Sequence, residues 1–282
     1  MFRKRLMSSI VLVAAALISL LAGGWILAAV LLFLALTAYR ELTGACGLRE
    51  KENQDGNAAF KLNALEVVGY IGIIAYYLLM VLIREETILF LAVITILVAF
   101  MFLYVFAFPR YRAEQIMSAF FCVAYAPVML SFIYMVRSLP YGIYYVWMIF
   151  ISSWICDTCA YLVGMAIGKH KLAPILSPKK SIEGALGGIA GSALVGALFG
   201  YFIVESVILE KQVTWLFVLI SAIGAIISQV GDLAASAIKR NHDIKDYGRL
   251  IPGHGGVMDR FDSVIFTAPM IYFLTLLLIH GG

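Results

Sequence analysis

The sequence predicts an all-α polytopic membrane protein. Hydrophobic residues make up 63% of its 282 residues and charged residues only 13%, which lies outside the range of soluble globular domains. Apolar runs near the ~20 residues that a membrane-spanning helix needs recur along the whole chain. Nine such runs are predicted, at 8–22, 25–45, 63–83, 87–108, 116–136, 141–166, 182–204, 214–238 and 262–280.

The basic residues predict the orientation of these runs, because cytoplasmic loops carry an excess of Lys and Arg. With the N-terminus in the cytoplasm, all but three of the 21 Lys and Arg residues fall on the inner side. The exceptions are Arg84, Arg137 and Lys211. Run 8–22 is predicted to turn back at Gly23-Gly24 as a separate span, because merging it with the next run would place the basic N-terminal residues outside.

The stretch 236–262 is rich in charged residues and glycine, and it reads S-A-I-K-R-N-H-D-I-K-D-Y-G-R-L-I-P-G-H-G-G-V-M-D-R-F-D. It lies between two predicted spans. Unpaired polar groups near hydrocarbon cost several kcal/mol each. The stretch therefore predicts a site for a charged ligand at the membrane boundary.

A polar stripe leads into this stretch along one face of the predicted helix 214–238. Its members are Ser228, Asp232, Ser236, Lys239 and Arg240, spaced i, i+4, i+8, i+11 and i+12. Asp232 could form a structural pair with a Lys or Arg, or it could bind a metal ion. A metal ion is favoured because Asp259 and Asp262 begin the next span, and Mg²⁺ typically takes one or two carboxylates together with substrate phosphates.

A glycine-rich turn, Pro252-Gly253-His254-Gly255-Gly256, lies between Lys245 and Arg260. Glycines allow positive φ and a close approach of backbone N–H groups to phosphates. His254 could donate to a phosphate or assist proton transfer, or it could only stabilise the turn. The turn and its cations predict an anion-binding loop.

The middle of the chain carries a second polar segment. Asp157 has small or polar residues at i−4, i+4 and i+7, which predicts either a wet cavity or a structural pair with a lysine. Lys179 and Lys180 precede Ser181, a predicted helix N-cap, with Glu183 in the first turn. The G-x-x-x-G spacing that begins at Gly184 indicates close helix packing.

These motifs resemble those of a known family. Ser236-x-x-Lys239-Arg240, Lys245-Asp246-x-Gly248, Pro252-Gly253-His254-Gly255-Gly256 and Asp259-Arg260-x-Asp262 resemble the signature of the phosphatidate cytidylyltransferases, the CDP-diacylglycerol synthases. Trp154-x-x-Asp157-x-x-Ala160-Tyr161, Gly168-Lys169-His170-Lys171-Leu172-x-Pro174 and Ser177-Pro178-Lys179-Lys180-Ser181-x-Glu183-Gly184 are similar to the family's middle segment. The resemblance spans residues 154–262.

The resemblance implies the reaction of CTP with phosphatidate to give CDP-diacylglycerol and pyrophosphate, with Mg²⁺ held by Asp232 and Asp259. The expected catalytic residues are Asp232, Asp259, Lys239 and His254. The expected substrate-binding residues are Asp157, Lys179, Lys180, Ser236, Arg240, Lys245, Gly253, Gly255, Gly256, Arg260 and Asp262. One departure is Ala235, where many relatives carry Glu.

The predicted orientation and the polar stripe indicate an inner-membrane protein with its active site facing the cytoplasm. The resemblance also implies a homodimer, and no nucleic-acid partner is expected. Residues 1–140 are predicted to form a scaffold with lipid-access helices. Residues 141–282 are predicted to form the catalytic half, with cytoplasmic loops at 168–184 and 239–260.

Two other functions remain open from the residues. A CTP-dependent lipid or polyprenol kinase needs similar topology and metal chemistry, but it transfers the γ-phosphate. A transporter would explain acidic residues within spans, but it predicts inverted repeats and interrupted helices, which the sequence does not show.

Overall fold

Helices dominate the computed structural model, which describes residues 14–48, 63–208, 213–248, 250 and 255–280. Within these residues, eight helices are long and apolar enough to cross a membrane. They are α1 Gly24–Ala45, α2 Ala64–Leu82, α3 Glu86–Phe106, α4 Ala113–Ser138, α5 Gly142–Ile167, α6 Ile182–Val207, α7 Val213–Asn241 and α8 Met258–Ile279. The predicted all-α membrane class is confirmed, and eight of the nine predicted runs coincide with these helices.

The first predicted run is described only in part. Residues 14–22 are helical, and the chain leaves helical geometry at Gly23, where φ is 63°, before α1 begins at Gly24 with φ of 47°. Positive φ is a conformation that glycine adopts at little cost. The helix is therefore interrupted at the predicted position, Gly23-Gly24. Residues 1–13 lie outside the described residues, and the ninth span stays a prediction.

A short antiparallel hairpin connects α5 to α6. Its strands are β1, Lys171–Ala173, and β2, Ser177–Ser181, with Lys171 opposite Ser181. The sequence predicted a basic loop here, and the hairpin gives that loop a fixed backbone. The hydroxyl of Ser181 accepts a hydrogen bond from the N–H of Gly184 at 3.1 Å. The predicted N-cap of α6 is thereby confirmed.

The chain forms two compact units, and each is described by itself. The first comprises the described residues of Met1–Ser131 and Ile244–Arg260, and the second those of Phe132–Asp243 and Phe261–Gly282. The loop between α7 and α8 therefore belongs largely to the unit of the N-terminal helices. In that unit, the hydroxyl of Tyr77 donates to the carbonyl of Pro127 at 2.9 Å and so joins α2 to α4.

Close helix packing organises the second unit. A Cβ at Gly184 would lie 2.6 Å from the carbonyl oxygen of Ala160, and one at Gly188 would lie 2.8 Å from that of Cys156. Because real Cβ atoms do not approach backbone this closely, α5 and α6 can contact along this face only with glycine there. The packing role predicted from the G-x-x-x-G spacing is confirmed for this pair. This packing places the hairpin beside α5.

Candidate active site

A cavity of about 400 Å³ lies in the second unit, among α5, the hairpin, α6 and α7. Its size is within the range of small-molecule sites. The polar side chains that line it are Asp157, Lys179, Lys180, Ser181, Gln229 and Asp232. The structure therefore brings together the polar residues of the middle segment and Asp232.

An ion pair joins two of these residues. The ammonium of Lys180, on β2, contacts the carboxylate of Asp232, on α7, and the two side chains are 26% and 25% exposed. A partly buried pair is screened less than a surface pair. Of the two readings that the sequence left open for Asp232, the structure contains the pairing with a lysine, and its partner comes from the hairpin.

Two further carboxylates lie near this pair. Asp157 is close enough to Asp232 and Lys180 to interact electrostatically with both. Its Oδ2 lies 3.5 Å from the hydroxyl of Ser263. Asp262 interacts with the charges of Asp232 and Lys239 in the same way. The second unit therefore concentrates three carboxylates and two lysines within interacting distance.

A widened turn precedes Asp157 along its helix. Residues Ile151–Ile155 adopt π-helical geometry inside α5. Such insertions shift the direction of the side chains that follow and often occur at functional sites. The sequence spacing alone did not reveal this turn, and it contributes to the direction in which Asp157 points.

The base of the hairpin is held by Glu183, in the first turn of α6. Its carboxylate accepts hydrogen bonds from the backbone N–H groups of Lys169, at 3.1 Å, and His170, at 3.2 Å. One carboxylate oxygen also lies 2.6 Å from Nδ1 of His170. These contacts fix the position from which the hairpin presents exposed Lys179 and half-buried Lys180.

Gln229 is a lining residue that sequence reasoning missed. Its Nε2 donates to the carbonyl of Ala185 at 3.0 Å and contacts the sulfur of Cys156 at 3.4 Å. It precedes Asp232 by three residues, and this spacing on a helix was the available signal. The amide fixes α7 against α5 and α6 beside the cavity.

The polar stripe of α7 lies on one continuous helix, as predicted. Ser228 is fully buried, whereas Ser236 and Lys239 are half-buried and Arg240 is exposed. The exposure of these polar side chains therefore increases toward the end of the helix. Lys239 and Arg240 are placed where a charged ligand could reach them.

The first unit contains the loop that carries the rest of the signature. We call residues 244–257 the signature loop; it is described at 244–248, 250 and 255–257. Oδ2 of Asp259 accepts the N–H of Tyr247 at 2.8 Å and that of Gly256 at 3.0 Å. Asp259 thereby ties two distant points of the loop together. Gly255 adopts a φ of +86°, which supports the prediction that the turn needs glycine there.

A second carboxylate contacts this loop, and the sequence analysis did not single it out. Glu41, on α1, accepts hydrogen bonds from the N–H groups of Val257, at 3.0 Å, and Met258, at 2.9 Å. The only sequence signal was an acidic residue near the end of an apolar run.

The sequence model of the cytidylyltransferase family matches residues 3–278, almost the whole chain. The chain belongs to the cytidylyltransferase family. This confirms the resemblance at the level of the family.

Curated relatives give narrower matches. The phosphatidate cytidylyltransferase of Staphylococcus saprophyticus is 39% identical over 159 residues, that of Staphylococcus epidermidis is 41% identical over 159, and that of Staphylococcus aureus is 40% identical over 161. Each alignment covers 56% of this chain and 59% of the relative. The chain therefore matches less than two thirds of the length of these relatives.

The carboxylates of this cytidylyltransferase-family chain are hard oxygen donors, which suit Mg²⁺. Among the described residues, no group of three or more His, Cys, Asp or Glu side chains is gathered as for a metal ion. One or two carboxylates completed by substrate phosphates and water would still fit Mg²⁺. Asp232 and Asp259 each remain predicted ligands.

The remaining predicted site residues are placed as follows. Lys245 and Arg260 are exposed in the first unit, and Gly256 is buried there. Gly253 and His254 lie outside the described residues, so the predicted roles of both stay predictions.

Proposed function

We propose that this chain transfers CMP from CTP to phosphatidate, giving CDP-diacylglycerol and pyrophosphate. The observation that carries the proposal is the Lys180–Asp232 pair at a cavity of about 400 Å³, in a chain of the cytidylyltransferase family. The name of the staphylococcal relatives supports phosphatidate as the acceptor.

Anion binding is the first task of the site. Lys179 and Lys180 line the cavity, and a phosphate entering it would compete with Asp232 for the ammonium of Lys180. Lysine binds phosphate as a compact point charge, and arginine binds it through a planar fork. We assign the same task to Lys239 and Arg240 in the second unit and to Lys245 and Arg260 in the first.

Orientation is the second task. An oxygen of the phosphatidate phosphate attacks the α-phosphorus of CTP, and the bond from that phosphorus to the bridging oxygen of the β-phosphate breaks, so that pyrophosphate leaves with the electron pair. A phosphate monoester is already a competent nucleophile at neutral pH. The protein therefore needs mainly to align the two substrates and stabilise the negative charge.

We propose Mg²⁺ as the cofactor, with Asp232 and Asp259 as its predicted ligands. When bound, it would neutralise charge on the triphosphate and its leaving group. Asp157 and Asp262 would partly neutralise the positive charges of Lys180 and Lys239.

The positive-inside pattern supports a site that opens to the cytoplasm from the inner membrane, where CTP and a membrane lipid can meet. We propose a homodimer as the assembled form, on the family resemblance alone.

Incubation of the purified full-length protein with CTP, phosphatidate and Mg²⁺ tests the proposal. Mass spectrometry of the lipid extract is expected to show CDP-diacylglycerol, with pyrophosphate in equal amount in the aqueous phase. Omission of phosphatidate is the control for contaminating nucleotidases. If folded, membrane-inserted protein forms no cytidylylated lipid under these conditions, the proposal is overturned.

A further inference from the structure

Glu41 is a buried carboxylate with backbone partners from a distant part of the chain. It is only 9% exposed, and its two oxygens accept the N–H groups of Val257 and Met258. Burying a charged group is costly unless it is hydrogen-bonded. Both oxygens are used on a single short segment, which lies 216 and 217 residues away in sequence.

Two glycines make room for this carboxylate. A Cβ at Gly248 would lie 2.2 Å from Oε1 of Glu41, and one at Gly256 would lie 2.4 Å from the same atom. Glu41 is a flexible side chain and could move aside, but moving would break both hydrogen bonds. The loop glycines and Glu41 therefore form one fitted arrangement.

Glu41 and Asp259 together hold the end of the signature loop. The N–H of Gly256 donates to Asp259, and the next two, of Val257 and Met258, donate to Glu41. Three consecutive backbone donors are thus fixed by two carboxylates. Asp259 and Arg260 follow directly, so the direction of the first turn of α8 depends on these bonds.

We propose that Glu41 is a positioning residue that fixes the end of the signature loop and thereby orients Asp259 and Arg260. The effect on the loop stands on the geometry of the first unit. The effect on catalysis rests on the proposed function.

Hydrogen–deuterium exchange of the full-length protein in detergent tests the effect on the loop. Glu41→Gln keeps the shape of the side chain but directs an NH₂ donor at one of the two backbone donors. Exchange of the amides at 256–258 is expected to accelerate by about tenfold or more, because local opening becomes easier. Peptides from α3 serve as an internal reference for global stability.

Glu66→Gln is the matched control. Glu66 is a fully buried carboxylate of the first unit, and it accepts a hydrogen bond from the hydroxyl of Thr43. This variant is expected to leave exchange at 256–258 within about twofold of the wild type. Unchanged exchange in Glu41→Gln, or equal acceleration in both variants, would overturn the proposal.

Kinetics test the effect on catalysis. Glu41→Gln is expected to lower kcat about tenfold or more while the KM for CTP changes by less than about threefold, because groups that bind CTP remain and their alignment is lost. A change in KM alone would overturn the positioning role. If the wild-type protein shows no cytidylyl transfer, the proposed function is wrong. The exchange experiment then tests the role of Glu41 in the loop by itself.

A double-mutant cycle adds a readout that general loosening would not move. Gly248→Ala should displace the carboxylate of Glu41 and so reproduce much of the loss of kcat caused by Glu41→Ala. In a Glu41→Ala background the added Cβ meets no carboxylate, so Gly248→Ala is expected to lower kcat by less than about twofold more. Additive losses would contradict the fitted arrangement.

Discussion

Lys180 and Asp232 form a partly buried ion pair between the hairpin and α7. Each neutralises the charge of the other. Removing one partner leaves the other charge partly desolvated and unpaired, which costs more than the pair itself contributes. In the proposed function, the pair would link anion binding by Lys180 to the availability of the Asp232 carboxylate.

Asp232→Asn is expected to remove nearly all cytidylyl transfer while the protein stays folded and inserted, because an amide is a far poorer Mg²⁺ ligand than a carboxylate. Asp243→Asn is the matched control. Asp243 is exposed beyond the end of α7 with φ of 53°, a conformation that Asn tolerates. Retention of more than about a tenth of wild-type turnover by Asp232→Asn, equivalent to less than ~1.4 kcal/mol, would remove Asp232 from the ligand set.

Lys180→Gln is expected to raise the KM for a phosphate-bearing substrate about tenfold or more, because the cavity loses a cation and Asp232 loses its partner. Initial rates measured at varied CTP and varied phosphatidate will show which substrate is affected. Lys171→Gln is the control, since Lys171 is exposed on the same hairpin. Equal effects of the two variants would indicate general attraction of anions by the hairpin.

Asp259→Asn is expected to remove nearly all activity, for two reasons that the residual rate and amide exchange can separate. As a Mg²⁺ ligand, Asp259 should set the Mg²⁺ concentration needed for half-maximal rate. As the acceptor for Tyr247 and Gly256, it should also protect those amides from exchange. Faster exchange with an unchanged Mg²⁺ requirement would leave Asp259 as a loop residue only.

The sequence predicted what depends on local pattern. Hydropathy located the eight spans, and helical spacing placed Ser228 to Arg240 on one helix. Ser181 was predicted as a cap because its chemistry acts within three residues. The partner of Asp232 and the contact of Glu41 with Val257 could not be predicted, since both depend on tertiary packing between segments far apart in sequence.

The topology is expected to place the N-terminus and the loops at 46–61, 168–181 and 239–260 in the cytoplasm, with Gly282 on the opposite side. Residues 1–13, 49–62, 209–212, 249, 251–254 and 281–282 lie outside the described residues. Single cysteines at Asp243 and Lys211, in a cysteine-free background, test this with an impermeant thiol reagent. Asp243→Cys should react only from the cytoplasm, and reaction of Lys211→Cys from that side would contradict the assignment.

Cytidylyl transfer and phosphoryl transfer from CTP break different bonds, so the fate of labelled CTP tests the central claim most directly. With phosphatidate and Mg²⁺, label from [α-³²P]CTP should enter the organic-extractable lipid, and label from [γ-³²P]CTP should leave as pyrophosphate. Labelling of the lipid and release of labelled pyrophosphate should both stop when EDTA removes Mg²⁺. Label from [γ-³²P]CTP in a diacylglycerol or polyprenol, with no α label in lipid from phosphatidate, would contradict the account and indicate a kinase.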